Sequence, residues 1–130
     1  MIVITGGAGF IGSAFITKLN QMNTPDVLVV DEPGTFEKWK NLVGKKFRGY
    51  LHKNMFLPKL EKAELSTIET IIHLSANSST TESGVEYLME NNYRYTRRLA
   101  EWSIKNKVRF IYASSAATYG SGGFGFSDMQ

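Results

Sequence analysis

Gly6, Gly7, Gly9 and Gly12 follow directly on the apolar run Ile2-Val-Ile-Thr5. Glycines at this spacing do one kind of chemistry without a side chain: they open backbone N–H groups to an anion. One permits a tight turn, because glycine reaches positive φ without a Cβ clash. One lets the backbone approach a diphosphate, and the last lets the next helix pack close to the strand. Phosphates then sit on the free N–H groups and the positive dipole end of that helix. Gly7-x-Gly9-x-x-Gly12 has the dinucleotide-binding spacing, a weak signal alone and a stronger one between a strand and a helix. The alternative is a glycine-rich turn with no ligand. Asp31 is the second candidate, about 20 residues past the glycines, where an acid meets the adenosine ribose. Asp31 alone favours NAD over NADP, because a carboxylate repels a 2′-phosphate. His73 falls inside a strand and reads as packed or bonded to backbone; His52 reads as isolated. Neither has the neighbours of a metal site, and no metal is expected.

These groups need a frame. Ile2 to Thr5 is a strand, and the residues after Gly12 form a helix with Ile11, Phe15 and Leu19 on one face. Residues 26–31 read as a buried parallel strand, a short apolar run ending in an acid. Glu32-Pro33-Gly34 turns the chain. A short helix is expected over 35–43 and a third strand over 47–51. Residues 55–65 have helical spacing that Pro58 breaks early, which leaves only the C-terminal part as helix. A fourth strand spans 68–74. A small, polar loop follows. A long helix over 83–106 carries Val85, Leu88, Met89, Tyr95 or Thr96, Leu99 and Ser103 as its apolar stripe. Asn92 lies on that stripe and needs a hydrogen-bond partner there. A fifth strand covers 108–113. The alternation predicts an α/β fold: a Rossmann-type, doubly wound parallel sheet of order 3-2-1-4-5. Residues 1–119 form the domain, and 120–130 a glycine-rich tail without periodicity, read as a mobile loop.

The 130 residues suit one domain with a real core, and 42% hydrophobic with 21% charged residues is a globular balance. The absence of cysteine excludes disulfides and thiolate metal sites and fits a reducing, cytoplasmic setting. No apolar run approaches the roughly 20 residues that cross a bilayer, so no membrane is expected. Met1 leads straight into a strand with no basic segment before it, so no signal peptide is expected. The net charge is +3. Lys45, Lys46 and Arg48 form one basic cluster, and Arg94, Arg97 and Arg98 another. With no nucleic-acid motif beside them, they read as solvated faces or contacts to an anionic cofactor, and no nucleic-acid partner is expected. Trp39, Trp102 and the tyrosines of the long helix read as packing residues rather than stacking platforms.

The sequence resembles the extended short-chain dehydrogenase/reductases, the family that includes nucleotide-sugar epimerases and dehydratases. The resemblance is carried by Thr5-Gly-Gly-Ala-Gly-Phe-Ile-Gly12, in which Gly6-x-x-Gly9-x-x-Gly12 is the family's variant spacing. It is also carried by Asp31, His73-Leu74-Ser75-Ala76, Asn91-Asn92 and Ser114-Ser-Ala-Ala-Thr-Tyr-Gly120. Glu37-Lys-Trp-Lys-Asn-Leu-Val43, Asn77-Ser-Ser-Thr-Thr-Glu82 and Asn91-Asn-Tyr-Arg-Tyr95 narrow it to one epimerase branch. It covers nearly the whole chain but only the first part of a full enzyme of the family.

The resemblance implies NADP as cofactor, with NAD as the alternative. Phe10 and Ile11 would lie on the pyrophosphate turn, and Asp31 and Glu32 near the adenosine ribose. Lys38 and Lys53 match positions that approach the 2′-phosphate, whereas spacing alone reads both as surface charge. Leu74, Ser75, Ala76, Asn77 and Ser78 would line the ribose and nicotinamide side, and Asn91 would contact the cofactor. Ser115 would be the serine of the family's Ser-Tyr-Lys site, hydrogen-bonded to the hydroxyl being oxidised. Ser78, Ser79 and Thr80 would reach a nucleotide-sugar substrate. The implied reaction is an epimerisation through transient hydride transfer. By analogy, the long helix would pack on a second subunit in a homo-oligomer, with Tyr87, Tyr95 or Trp102 at the contact.

One family feature is missing. Its site needs Tyr-x-x-x-Lys, in which a tyrosine of lowered pKa acts as base. The six tyrosines here are followed four residues on by Asn54, Asn91, Arg97, Leu99, Ala116 and Gly123. The expectation is therefore a cofactor platform with one catalytic serine, inactive by itself and binding cofactor weakly or not at all; the alternatives are another extended epimerase, dehydratase or reductase, or a non-catalytic dinucleotide-binding module. A truncated product or isolated domain would look like this.

Overall fold

The computed structural model describes residues 1–32, 38–74 and 85–113, with side chains other than those of 38 and 85–92. Five parallel strands form one sheet in the order β3-β2-β1-β4-β5, as the alternation predicts. They are β1 (Ile2–Thr5), β2 (Val27–Asp31), β3 (Gly49–His52), β4 (Thr70–His73) and β5 (Arg109–Tyr112). Between them lie α1 (Phe10–Gln21), the short 3₁₀ helix η1 (Lys38–Leu42), α2 (Lys53–Glu61) and α3 (Val85–Lys105).

The central strands are mostly apolar because both faces are covered, with Thr5, Asp31 and His73 as buried polar residues at their carboxyl ends. Successive side chains of a strand point to opposite faces, and two buried clusters result. Val3, Leu28, Val30 and Ile71 meet Phe56, Leu57 and Leu60 of α2 and Leu99 of α3. Ile4, Val27, Val29 and Ile72 meet Ile16 of α1. The chain runs from β1 outward to β3, then crosses to β4 on the other side of β1. The carboxyl ends of β1 and β4 flank the point where strand order reverses, which is where a crevice opens in such sheets. β1 pairs with β2 from Ile2↔Val27 to Thr5↔Val30 and with β4 from Ile2↔Thr70 to Thr5↔His73, so these ends are level.

Three local expectations are corrected. The buried face of α1 is Gly12, Ser13 and Ile16, with Leu19 half-buried beside it; Ile11 and Phe15 point outward. The helix approaches the sheet through its glycine side, which turns the two larger residues away. α2 begins at Lys53 and runs through Pro58 instead of starting after it. Proline there gives up one backbone bond, but Phe56, Leu57 and Leu60 are all buried and hold the helix to the sheet. His52 caps it, its Nδ1 accepting from Asn54 N–H at 3.1 Å. His52 is thus a helix cap. The helix expected over 35–43 is the short η1 from Lys38; residues 33–37 lie outside the described ones.

The stripe of α3 is as expected where side chains are described: Leu99 and Ser103 are fully buried, and Tyr95 and Trp102 pack on the core cluster. The side chains of Asn92 and Tyr87, and the tail 120–130, lie outside the described residues. No described helix is long and apolar enough to cross a membrane.

Candidate functional site

The turn after β1 is tight. Gly6 has φ 71°, its N–H bonds Val30 O at 2.7 Å, and its carbonyl accepts from Gly9 N–H at 3.0 Å. A Cβ on Gly12 would stand 2.3 Å from Gly6 O and 2.6 Å from Gly7 Cα, so only glycine lets α1 start this close to the turn. A Cβ on Gly7 would stand 2.8 Å from Val29 Cγ1, so that glycine seats the turn on β2.

Among the described residues, the amino end of α1 is open. Ser13 N–H bonds Gly9 O at 2.9 Å, while Phe10, Ile11 and Gly12 N–H have no carbonyl of their own helix to meet. No side chain caps the helix and its first turn holds no acid. Phe10 is 85% and Ile11 62% exposed. Three N–H groups without a carbonyl of their helix, and the positive dipole end, therefore lie beside two exposed apolar side chains. This geometry suits a diphosphate.

Asp31 ends β2 and is 3% exposed. Its Oδ2 accepts from Ala8 N–H at 2.9 Å and its Oδ1 from Glu32 N–H at 2.8 Å. The carboxylate thus holds the glycine turn. From the other side, the Asn41 amide of η1 donates to Ala8 O at 2.9 Å. Both backbone polar groups of Ala8 are fixed. Lys53 follows His52, which stands opposite Asp31 in the β2–β3 register. Tyr50, on the same strand, has its hydroxyl pKa raised by burial and by the nearby Asp31 and Glu32 carboxylates.

Between β1, β4 and α3 sits His73. Its Nδ1 lies 2.6 Å from Thr5 Oγ1 and its Nε2 2.8 Å from Thr96 Oγ1. Thr5 Oγ1 also accepts from Leu74 N–H at 3.1 Å. Burial and the charge of Lys53 lower the pKa of His73 to about 4, so the ring is neutral. Of the two readings from sequence, the ring is packed and not bonded to backbone, and its partners are two hydroxyls. The rings of Tyr95, Phe110 and Tyr112 surround it at 5.8–6.1 Å, and Tyr95 Oη donates to Lys53 O at 3.4 Å.

The structure brings together Gly6, Gly9, Phe10, Ile11, Gly12, Asp31, Glu32, Lys53 and Leu74 at the carboxyl ends of the strands. Lys38 heads η1 and Asn91 lies within α3, their side chains not among those described. Ser75, Ala76, Asn77, Ser78, Ser79, Thr80 and Ser115 lie outside the described residues. Sequence reasoning missed Asn41, Thr5 and the His73 bridge. Asn41 sits in a helix of five residues, too short for periodicity to speak, and hydroxyl pairing across 68 residues leaves no local signal.

The model of the NAD dependent epimerase/dehydratase family matches residues 2–129. ADP-L-glycero-D-manno-heptose-6-epimerase of Nitratidesulfovibrio vulgaris (strain DP4) is 49% identical over 129 residues, which is 98% of this chain and 40% of that protein. The crystal structure of Helicobacter pylori ADP-L-glycero-D-manno-heptose-6-epimerase matches with TM-score 0.74 and 34% identity, over 92% of this chain and 40% of that one. UDP-glucose 4-epimerase from Bifidobacterium longum, solved with NAD+ and UDP, matches with TM-score 0.66 and 28% identity, over 92% and 38%. The chain thus spans about 40% of the length of the curated heptose epimerase it matches. With the strand order, the glycine turn and these likenesses in agreement, the chain belongs to the NAD dependent epimerase/dehydratase family.

Proposed function

We propose that these residues are the NADP-binding portion of a nucleotide-sugar epimerase acting on ADP-L-glycero-D-manno-heptose at C6, in lipopolysaccharide synthesis. The observation that carries the reading is the open amino end of α1 over a turn that only glycines can form. The heptose assignment rests on the 49% identity to the N. vulgaris enzyme. When bound, the cofactor supplies a reversible hydride acceptor, which inversion through a transient ketone requires.

In this reading Phe10, Ile11 and Gly12 N–H hold the diphosphate, and Asp31 with Glu32 orients the adenosine ribose. Because both Asp31 oxygens accept backbone N–H bonds, its charge is partly satisfied before any 2′-phosphate arrives. Lys38 and Lys53 neutralise that phosphate. Leu74 to Ser78 and Asn91 line the nicotinamide side, Ser115 holds the hydroxyl being oxidised, and Ser78, Ser79 and Thr80 reach the sugar. No tyrosine of the 130 has a lysine four residues on, so turnover belongs to a full-length, homo-oligomeric form and not to these residues alone. The likeness to a UDP-glucose 4-epimerase favours, as second reading, another extended epimerase, dehydratase or reductase with NAD.

Titration calorimetry with NADP and NAD in parallel tests the cofactor. Weak NADP binding is expected, tighter than NAD, and reduced about tenfold by Lys38→Ala, the worth of one charge-assisted hydrogen bond. Tighter NAD binding would favour the second reading. Assay of a full-length form on ADP-heptose against UDP-sugars decides the substrate. Turnover of ADP-heptose by the 130 residues alone would overturn the assignment of roles.

A further inference from the structure

Among the described residues, η1 touches the glycine turn at a polar point that the cofactor reading does not use. Asn41 Nδ2 lies 2.9 Å from Ala8 O. A carbonyl only accepts, so the amide nitrogen must be the atom that faces it. The next residue, Leu42, packs on the cluster beneath α1. η1 is therefore docked at two adjacent positions, one apolar and one polar. It carries Lys38 and Lys40, and Ala8 N–H is already tied to Asp31 at the end of β2.

We propose that Asn41 is a positioning residue for cofactor selectivity: its hydrogen bond to Ala8 sets the basic η1 segment beside the ribose end of the site, so that the fold discriminates NADP from NAD. This rests on the reading of the site given above. The physical reason is economy of order. A lysine on a loose segment pays its immobilisation when the phosphate arrives, whereas one on a docked segment has lost part of that freedom on folding. Asn41 touches neither reacting atoms nor the diphosphate, so removing it should change which cofactor is preferred more than whether one binds.

Titrate the wild type, Asn41→Ala and Asn41→Leu with NADP and with NAD, and melt each protein thermally. Asn41→Leu keeps about the size of the side chain and removes the donor without adding charge, so it answers even if the alanine variant loses the fold. The expected result is a loss of NADP affinity of about tenfold in both variants, with NAD changed less than about twofold. Lys38→Ala combined with Asn41→Ala should lose little more than either alone. Equal losses for both cofactors, tracking a fall in melting temperature, would mean that Asn41 merely braces the turn and would overturn the proposal. Unchanged NADP affinity would do the same. A wild type that prefers NAD would instead show that the reading of the site is wrong.

Discussion

His73 shows how much a single buried side chain can be asked to hold. Its two ring nitrogens join β1 through Thr5 and α3 through Thr96. Both bonds suit a neutral ring, with one nitrogen accepting and the other donating. The pKa falls from 6.5 to about 4, chiefly from burial and next from the nearby Lys53 charge. Between those two values the unfolded chain takes up a proton that the folded chain refuses, so stability falls as pH drops. Above about pH 6.5 the contribution is complete, and below about pH 4 no more of it is lost. The expected loss across that window is on the order of 3 kcal/mol. Urea unfolding of the wild type and His73→Gln at pH 7 and pH 4.5 checks this. The variant should be less stable at pH 7 and should lack the His73 part of the pH slope. A wild type with the same slope as the variant would show that the ring is solvated. Sequence placed His73 in a strand and read it as packed. It had no means to name Thr5 and Thr96, because that pairing exists only once the strands align.

At the scale of elements, the strand–turn–helix opening was legible almost in full. Glycine tolerates what any other residue would forbid, and the spacing records that. Gly9 and Gly12 give a graded test. A Cβ on Gly12 would collide with Gly6 O at 2.3 Å, whereas one on Gly9 would stand 3.3 Å from the same atom. Gly12→Ala should destabilise by roughly 3 kcal/mol or more, in the upper range for overpacking. Gly9→Ala should cost about 1 kcal/mol. Paired urea melts measure both; equal costs would show that the turn yields freely. Elsewhere the local signal misled. Pro58 reads as a breaker, yet α2 passes through it. Burying Phe56, Leu57 and Leu60 against the sheet outweighs one missing backbone bond. Ile11 and Phe15 read as a core face, yet they are exposed, because packing through Gly12 fixes the rotation of α1.

For the whole molecule, the outer strand matters most. β5 pairs with β4, no other strand among the described residues pairs with it, and Ile111 and Tyr112 are exposed on it. Unpaired edges with apolar side chains template association. The isolated 130-residue chain should therefore self-associate in a concentration-dependent way. Ile111→Lys, which sets a charge at that edge, should shift sedimentation velocity profiles towards monomer without changing the melting temperature by more than a few degrees. Profiles identical to wild type would place the sticky surface elsewhere.

Sequence by itself determined the order of elements, the sheet topology and the glycine turn, because each is written in local periodicity or in residues whose sterics leave one option. The tertiary structure alone decided that Asp31 braces Ala8, that Asn41 docks η1 and that His73 bridges two threonines. Those contacts join residues 23 to 68 positions apart. A polar side chain declares its need for a partner in the sequence, but only the packed chain brings that partner within reach.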